Sequence, residues 1–144
     1  MAIHVKHALV VDDDLVSQRI LSLMLKTLGH SYECALDGNK CIEALETGDF
    51  DIVFLDIAMP IMSGVDVIKH IRNGLVGNKY IDIPVIVVTA NTINFNAENS
   101  LMLGFNGCIH KPFNINILRK AIDGIKFSSA PNFLLSCQHA ECGA

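Results

Sequence analysis

The 144-residue sequence has no tryptophan, only 6% aromatic residues, four prolines and no surplus of cations: 11 Lys and Arg stand against 15 Asp and Glu. A mildly acidic chain gives no electrostatic reason to expect nucleic acid as a direct partner, so a DNA-binding module is not expected within these residues. Long hydrophobic runs are missing too. The longest, such as Ile83 to Ala90, span about eight residues, whereas a membrane-spanning helix needs ~20. Before the first acidic run only Ala8 to Val11 is continuously apolar, too short for a secretory core. A cytoplasmic protein without membrane contact is therefore expected. The five cysteines (Cys34, Cys41, Cys108, Cys137, Cys142) are odd in number and widely spread. They read as reduced thiols rather than a disulfide framework.

What is present is apolar: 51% of the residues are hydrophobic and 18% charged, which excludes a disordered chain and fits one domain with an ordinary core. Short apolar runs of strand length alternate with longer segments of helical periodicity, five times over. The expected strands are His7 to Val11, Ser31 to Ala35, Ile52 to Leu55, Val85 to Val88 and Cys108 to His110. The first, third and fourth are expected to be buried on both faces. The expected helices are Asp14 to Leu28, Asn39 to Thr47, Gly64 to Asn73, Asn94 to Leu103 and Asn114 to Lys126. Gly29 and Asn73-Gly74 serve as terminators, and Asn114 as a cap with Phe113 as a staple before it. Strands alternating with helices imply parallel pairing through right-handed crossovers. The expected fold is α/β, flavodoxin-like and doubly wound, a (βα)5 unit with sheet order 2-1-3-4-5.

In such a sheet ligands bind beyond the carboxyl ends of the strands. Asp12-Asp13-Asp14 follow the first strand, Asp56 the third, Thr89 ends the fourth, and Lys111-Pro112 follow the fifth. Each alone has an ordinary explanation as a turn former, cap or solvated charge. Together, carboxylates from two adjacent strands repel one another unless a cation compensates. A hard divalent ion with oxygen ligands suits them; Mg2+ accepts one or two carboxylates, a carbonyl and waters, and commonly works beside phosphate. Asp56, alone at its strand end, is then free to act as a nucleophile toward phosphorus. Lys111 pairs with it or with phosphoryl oxygens, and Thr89 donates to another.

Four segments, Val10-Val11-Asp12-Asp13-Asp14, Asp56 through Gly64, Val87-Val88-Thr89-Ala90 and Lys111-Pro112-Phe113, stand in order and at fitting spacings over residues 5 to 126. On these the chain resembles a response-regulator receiver domain of two-component and phosphorelay signalling. Leu28-Gly29-His30 and the Gly38 to Leu45 segment look most like receivers of hybrid sensor kinases. The resemblance implies that Asp56 accepts a phosphoryl group from a phosphohistidine, that Asp13, Asp56 and the backbone carbonyl of Ala58 ligate Mg2+ directly, and that Asp12 does so through a water. It makes Thr89 the switch hydroxyl and Lys111 the phosphate-pairing cation, with a cis bond before Pro112. Asp14 is left as the cap of the first helix.

One departure stands out. Receivers commonly carry an aromatic residue three positions before the lysine, and this chain has Cys108 at that switch position. A small thiol cannot make the same rotation, so coupling through a phosphorylation-driven dimer is less expected; a monomer or weak dimer is. Cys108 is read as a small buried strand residue in preference to a redox sensor. Ala58 and Asn91 occupy positions that help set phosphoryl lifetime in the family, and neither supplies an acid or base.

In the first helix Val16, Ile20, Leu23, Met24 and Thr27 share one face, extended by Leu21, Leu25 and Leu28 beyond what one sheet contact needs. By resemblance the partner is a histidine kinase or histidine phosphotransfer protein, docking on Leu15, Pro112 and Phe113. Residues 1–126 are read as the receiver and 127–144 as a tail without a domain of its own. The tail's Cys137, His139 and Cys142 lack the fourth ligand of a closed zinc site. Two other functions are weighed. An Asp-nucleophile phosphatase needs a second acid where Ala58 stands, and a scaffold or redox-modulated module without productive phosphorylation needs a broken acidic site. The first is the weaker of the two.

Overall fold

The computed structural model describes residues 6–90 and 97–125. Among them five strands, β1 (His7–Val11), β2 (Ser31–Ala35), β3 (Ile52–Leu55), β4 (Val85–Thr89) and β5 (Gly107–His110), form one parallel sheet in the order β2-β1-β3-β4-β5. The helices are α1 (Leu15–Thr27), α2 (Gly38–Thr47), α3 (Gly64–Arg72), α4 (Ala97–Leu103) and α5 (Ile115–Gly124), with a 3-10 turn at Asn78–Tyr80. This is the expected flavodoxin-like arrangement. No described helix is long and apolar enough to cross a membrane.

The two faces of the sheet follow the alternation of its strands. Leu9, Val11, Val53, Leu55, Val85, Val87 and Cys108 face one way and pack with Val67, Ile68 and Ile71 of α3 and Cys41 and Leu45 of α2. Ala8, Val10, Ile52, Phe54, Ile86, Val88 and Ile109 face the other and pack with Leu21 and Leu25 of α1 and Leu118, Ala121 and Ile122 of α5. All residues of β3 and β4 are buried, as is β1 after His7. Central parallel strands covered by helices on both sides require this.

Polar residues place the helix ends. The side chain of Asp14 accepts from Val16 N to begin α1, Asp37 caps α2, and Asn114 accepts from Ile117 N at the start of α5. Ser63 and Asp66 form a reciprocal capping box at α3. Gly29 and Gly74 end α1 and α3 with positive φ of 93° and 79°. The caps expected at Asp14, Gly29, Asn73-Gly74 and Asn114 are present, those at Asp37 and Ser63 were not expected from the sequence, and the boundaries shift by a residue or two. Gly38 rather than Asn39 opens α2, Arg72 closes α3, β4 includes Thr89, β5 starts at Gly107, and α5 ends at Gly124. Position 94, where the fourth helix was expected to begin, Asn91, Lys126 and the tail all lie outside the described residues.

Only part of the apolar stripe of α1 is buried. Val16, Ile20, Leu23 and Thr27 face outward, and the buried residues are Gln18, Leu21, Ser22 and Leu25. The cause is polar: the Gln18 amide donates to the backbone carbonyls of Asp12 and Ala35 at 3.3 and 3.2 Å. The Ser22 hydroxyl and the Cys34 thiol are 3.4 Å apart.

Candidate functional site

Each charged residue of interest sits one step beyond a strand and is still tied to the neighbouring strand. Asp12 N donates to Ala35 O at 3.1 Å, Asp56 N to Val11 O at 3.0 Å, and Lys111 N to Thr89 O at 2.9 Å. Ladder bonds therefore carry the rigidity of the sheet into the residues that would do chemistry. The approach of α3 fixes the loop after Asp56: Gly64 N donates to Ile57 O at 3.1 Å, and a Cβ on Gly64 would lie 2.8 Å from the Asp56 carbonyl oxygen.

The result is an acidic pocket with one cation among the described residues. Asp12 and Asp56 are 5% and 7% exposed and Asp13 is exposed, and single carboxylate oxygens of the three lie within 4.8 Å of one another. Lys111 Nζ is 2.9 Å from Asp12 Oδ2 and 3.8 Å from Asp56 Oδ2. The lysine thus pairs mainly with Asp12, whereas the sequence reading names Asp56 or phosphoryl oxygens as its partners. Burial pushes the Asp56 carboxyl up to about 6; the Ala58 N–H, 3.1 Å from Asp56 Oδ1, and Lys111 pull it down, while Asp12 pushes it up. Asp14 stands apart from this group. Its carboxylate accepts from Ser17 Oγ and Val16 N, and these bonds, the hydroxyl first, hold it below the usual carboxylate range.

A hard divalent cation fits the three carboxylates on their own chemistry. They converge, are all oxygen donors, and have one lysine among them. Thr89 is fully buried at the adjacent strand end. The bond between Lys111 and Pro112 is cis, as expected. Lys111, Pro112 and Phe113 line a cavity of about 230 Å³ together with Asp12, Ser17 and Ile20. Leu15 is not on it; it is 63% exposed, on a separate groove between α1 and β2 that includes Tyr32 and Cys34. Cys108 is buried, with Sγ 3.8 Å from His110 Nε2, and the other ring nitrogen of His110 is buried without a hydrogen-bond partner.

Two residues that shape the site left no clear sequence signal. Gln18 supports the carbonyls of Asp12 and Ala35. Ile61 sits at the apex of a three-residue turn closed by Met62 N donating to Pro60 O at 2.7 Å, with φ of 67°. Only glycine, asparagine or aspartate would have advertised a left-handed position.

The carboxyl edge of this doubly wound parallel sheet gathers three aspartates, a buried threonine and a lysine, and no glycine-rich phosphate loop follows β1. The comparisons give the family. Residues 8–123 match the family described as "Response regulator receiver domain", and the chain belongs to it. It is therefore a receiver domain of two-component signalling. It is 35% identical over 118 residues to chemotaxis protein CheY-3 of Vibrio cholerae, covering 81% of this chain and 88% of that protein. It is 34% identical over 119 residues to hybrid signal transduction histidine kinase K of Dictyostelium discoideum, covering 80% of this chain but 10% of the kinase. The chain thus spans about a tenth of such kinases. Among solved structures, the receiver domain of sensor histidine kinase PA1611 from Pseudomonas aeruginosa, with a magnesium ion coordinated in its active site cleft, superposes with a TM-score of 0.74. Sequence identity there is 27%, over 83% of this chain and 96% of that one.

Proposed function

We propose that this receiver accepts a phosphoryl group on Asp56 from a phosphohistidine in a Mg2+-dependent reaction, and that a partner reads the change. The observation that carries it is the buried Asp56 carboxylate lying within 4.8 Å of Asp12 and Asp13 and 3.8 Å from Lys111. A carboxylate oxygen of Asp56 attacks phosphorus, the P–N bond breaks as the O–P bond forms, and the imidazole leaves neutral with its proton on the other ring nitrogen. Asp12, Asp13, Asp56 and the Ala58 carbonyl are the residues that would hold Mg2+, which when bound supplies charge neutralisation to the phosphoryl oxygens. Lys111, 2.9 Å from Asp12 and 3.8 Å from Asp56, pairs with those oxygens, and the Thr89 hydroxyl is the switch donor. Relatives named as histidine kinases support a histidine kinase or histidine phosphotransfer protein as the donor. Residues 1–126 form the receiver on this reading, and output comes from a partner or a parent chain.

The test is incubation with acetyl phosphate and Mg2+, followed by intact-mass measurement. Wild type should gain one phosphoryl group, and Asp56→Asn should not. Absence of the adduct from wild type, or its equal presence in the variant, would overturn the assignment.

A further inference from the structure

The acidic pocket occupies one edge of the sheet and leaves a row of apolar side chains on α1 without cover among the described residues. Leu15, Val16, Ile20 and Leu23 are 47–67% exposed. One exposed apolar side chain is ordinary, but four along one helix form the kind of patch that marks an interaction surface. They line a groove of about 710 Å³ against β2, whose Tyr32 and Cys34 form the far wall. β2 is also an edge strand of the sheet, so its outer backbone groups are open to an extended segment.

The chain leaves the described domain at one end of this groove. Ile125, the last described residue, is buried in the apolar cluster that α1 and α5 share, and Leu28 and Tyr32 pack against the same cluster. Electrostatics reports the same closeness: burial holds the His30 imidazole below its ordinary value, and Asp123, in the last turn of α5, pulls it back up. The sequence that follows is uncharged. Residues 127–140 contain no Asp, Glu, Lys or Arg, and Phe133-Leu134-Leu135 is their one run of large apolar side chains. From Ile125 to Phe133 is eight residues, a reach of up to ~27 Å, whereas α1, 13 residues long, measures ~20 Å. The run can therefore reach any point of the groove.

We propose that Phe133-Leu134-Leu135 of this chain's own tail docks in the groove between α1 and β2 and covers the outward apolar row of α1. A tether of this length presents the run at an effective concentration of ~1 mM, so an intrinsic dissociation constant of only ~0.1 mM keeps the groove filled about nine-tenths of the time. Cys34 reports the filling, because its thiol lines the groove, 3.4 Å from Ser22 Oγ. A reagent that must enter the groove is then slowed to about a tenth of its rate with the groove open, the fraction of time the tail is lifted.

The test measures the rate of iodoacetamide modification at Cys34, by peptide mapping, on the full chain. A triple tail variant, Phe133→Ser with Leu134→Ser and Leu135→Ser, should react about tenfold faster than wild type at Cys34. A groove variant, Val16→Gln with Leu23→Gln, places good helix formers at exposed positions of α1 and should also react faster. Leu75→Ser, at an exposed leucine after α3, should react at the wild-type rate. Cys41, fully buried on α2, is the internal control: it should stay unreactive in every variant, which separates release of the tail from unfolding. A Cys34 rate in the tail variant or the groove variant equal to that of wild type would overturn the proposal. So would a wild-type rate that rises on dilution, as filling by a second copy would give, or a Cys41 rate that rises together with that of Cys34.

Discussion

Replacing Gly64 by alanine sets two effects of opposite sign against each other, and the structure decides between them. Gly64 opens α3 and is not among the glycines with positive φ. Restricting the unfolded chain should therefore stabilise the variant by ~0.4–1 kcal/mol. Against this, the new methyl would lie 2.8 Å from both Asp56 O and Ile57 Cα. These are backbone atoms of a loop fixed by the ladder bond to Val11, so no side-chain rotation can relieve the overlap. Overpacking of this kind costs ~1–3 kcal/mol, leaving a net loss of ~1–2 kcal/mol. At a urea dependence of ~1.5 kcal/mol per molar, the unfolding midpoint should fall by about 1 M. Because the displaced atoms belong to Asp56 and Ile57, acetyl phosphate labelling should fall as well, by up to ~100-fold for a misplacement near 1 Å. Gly77→Ala is the comparison: φ is 119° and nothing lies within 4 Å of a Cβ, so strain of ~1 kcal/mol or more should lower the midpoint with no change in labelling. A Gly64→Ala protein at or above the wild-type midpoint would refute the steric reasoning, and a lowered midpoint with unchanged labelling would refute the link to Asp56.

Two further outcomes follow from buried groups. The Tyr80 hydroxyl donates to Gly48 O at 2.5 Å and accepts from Phe50 N at 3.1 Å. Tyr80→Phe takes away the acceptor of the Phe50 N–H and leaves the Gly48 carbonyl with Lys79 Nζ at 3.4 Å, and should cost ~1–3 kcal/mol in urea unfolding; an unchanged midpoint would show that water replaces the hydroxyl. Cys34 is exposed, whereas Cys41 and Cys108 are buried and burial pushes the Cys41 thiol up to about 12. Iodoacetamide near pH 8 followed by peptide mapping should modify Cys34 in the folded protein and reach Cys41 and Cys108 only in denaturant, since the thiolate is the nucleophile. Folded-state alkylation of Cys41 as fast as that of Cys34 would contradict the packing of α2.

The legible parts of this protein were those that a single local rule determines. Runs such as Ile52 to Leu55 read as buried strands in a chain that alternates them with helical segments, and 2-1-3-4-5 is a common order for five such units joined by right-handed crossovers. Asp12, Asp13, Asp56, Thr89 and Lys111 were legible because each lies at the end of a strand whose limits were already clear. The partition of Lys111 between two aspartates was not, because 2.9 against 3.8 Å depends on loop paths that no motif encodes. The strain at Ile61 was equally hidden: the residue type argues against the conformation it adopts.

The direction α1 faces is not legible in the sequence for a more general reason. Apolar periodicity weighs side chains by their transfer from water, and on that scale Val16, Ile20 and Leu23 belong inside while Gln18 and Ser22 do not. The sheet imposes a different demand. At its carboxyl edge β1 and β2 stop, and the carbonyls of Asp12 and Ala35 would be buried beneath α1 with unmet acceptor capacity, a cost comparable to losing several buried methylenes. The two donors of one glutamine amide serve both carbonyls, and doing so turns α1 until Gln18 lies underneath. Ala35 O is also the acceptor that holds Asp12 N. The orientation of the helix and the placement of the first acidic residue therefore have a common anchor in Ala35 O, and Leu21 and Leu25 on the same face fill the core while Leu15, Val16, Ile20 and Leu23 are left outward.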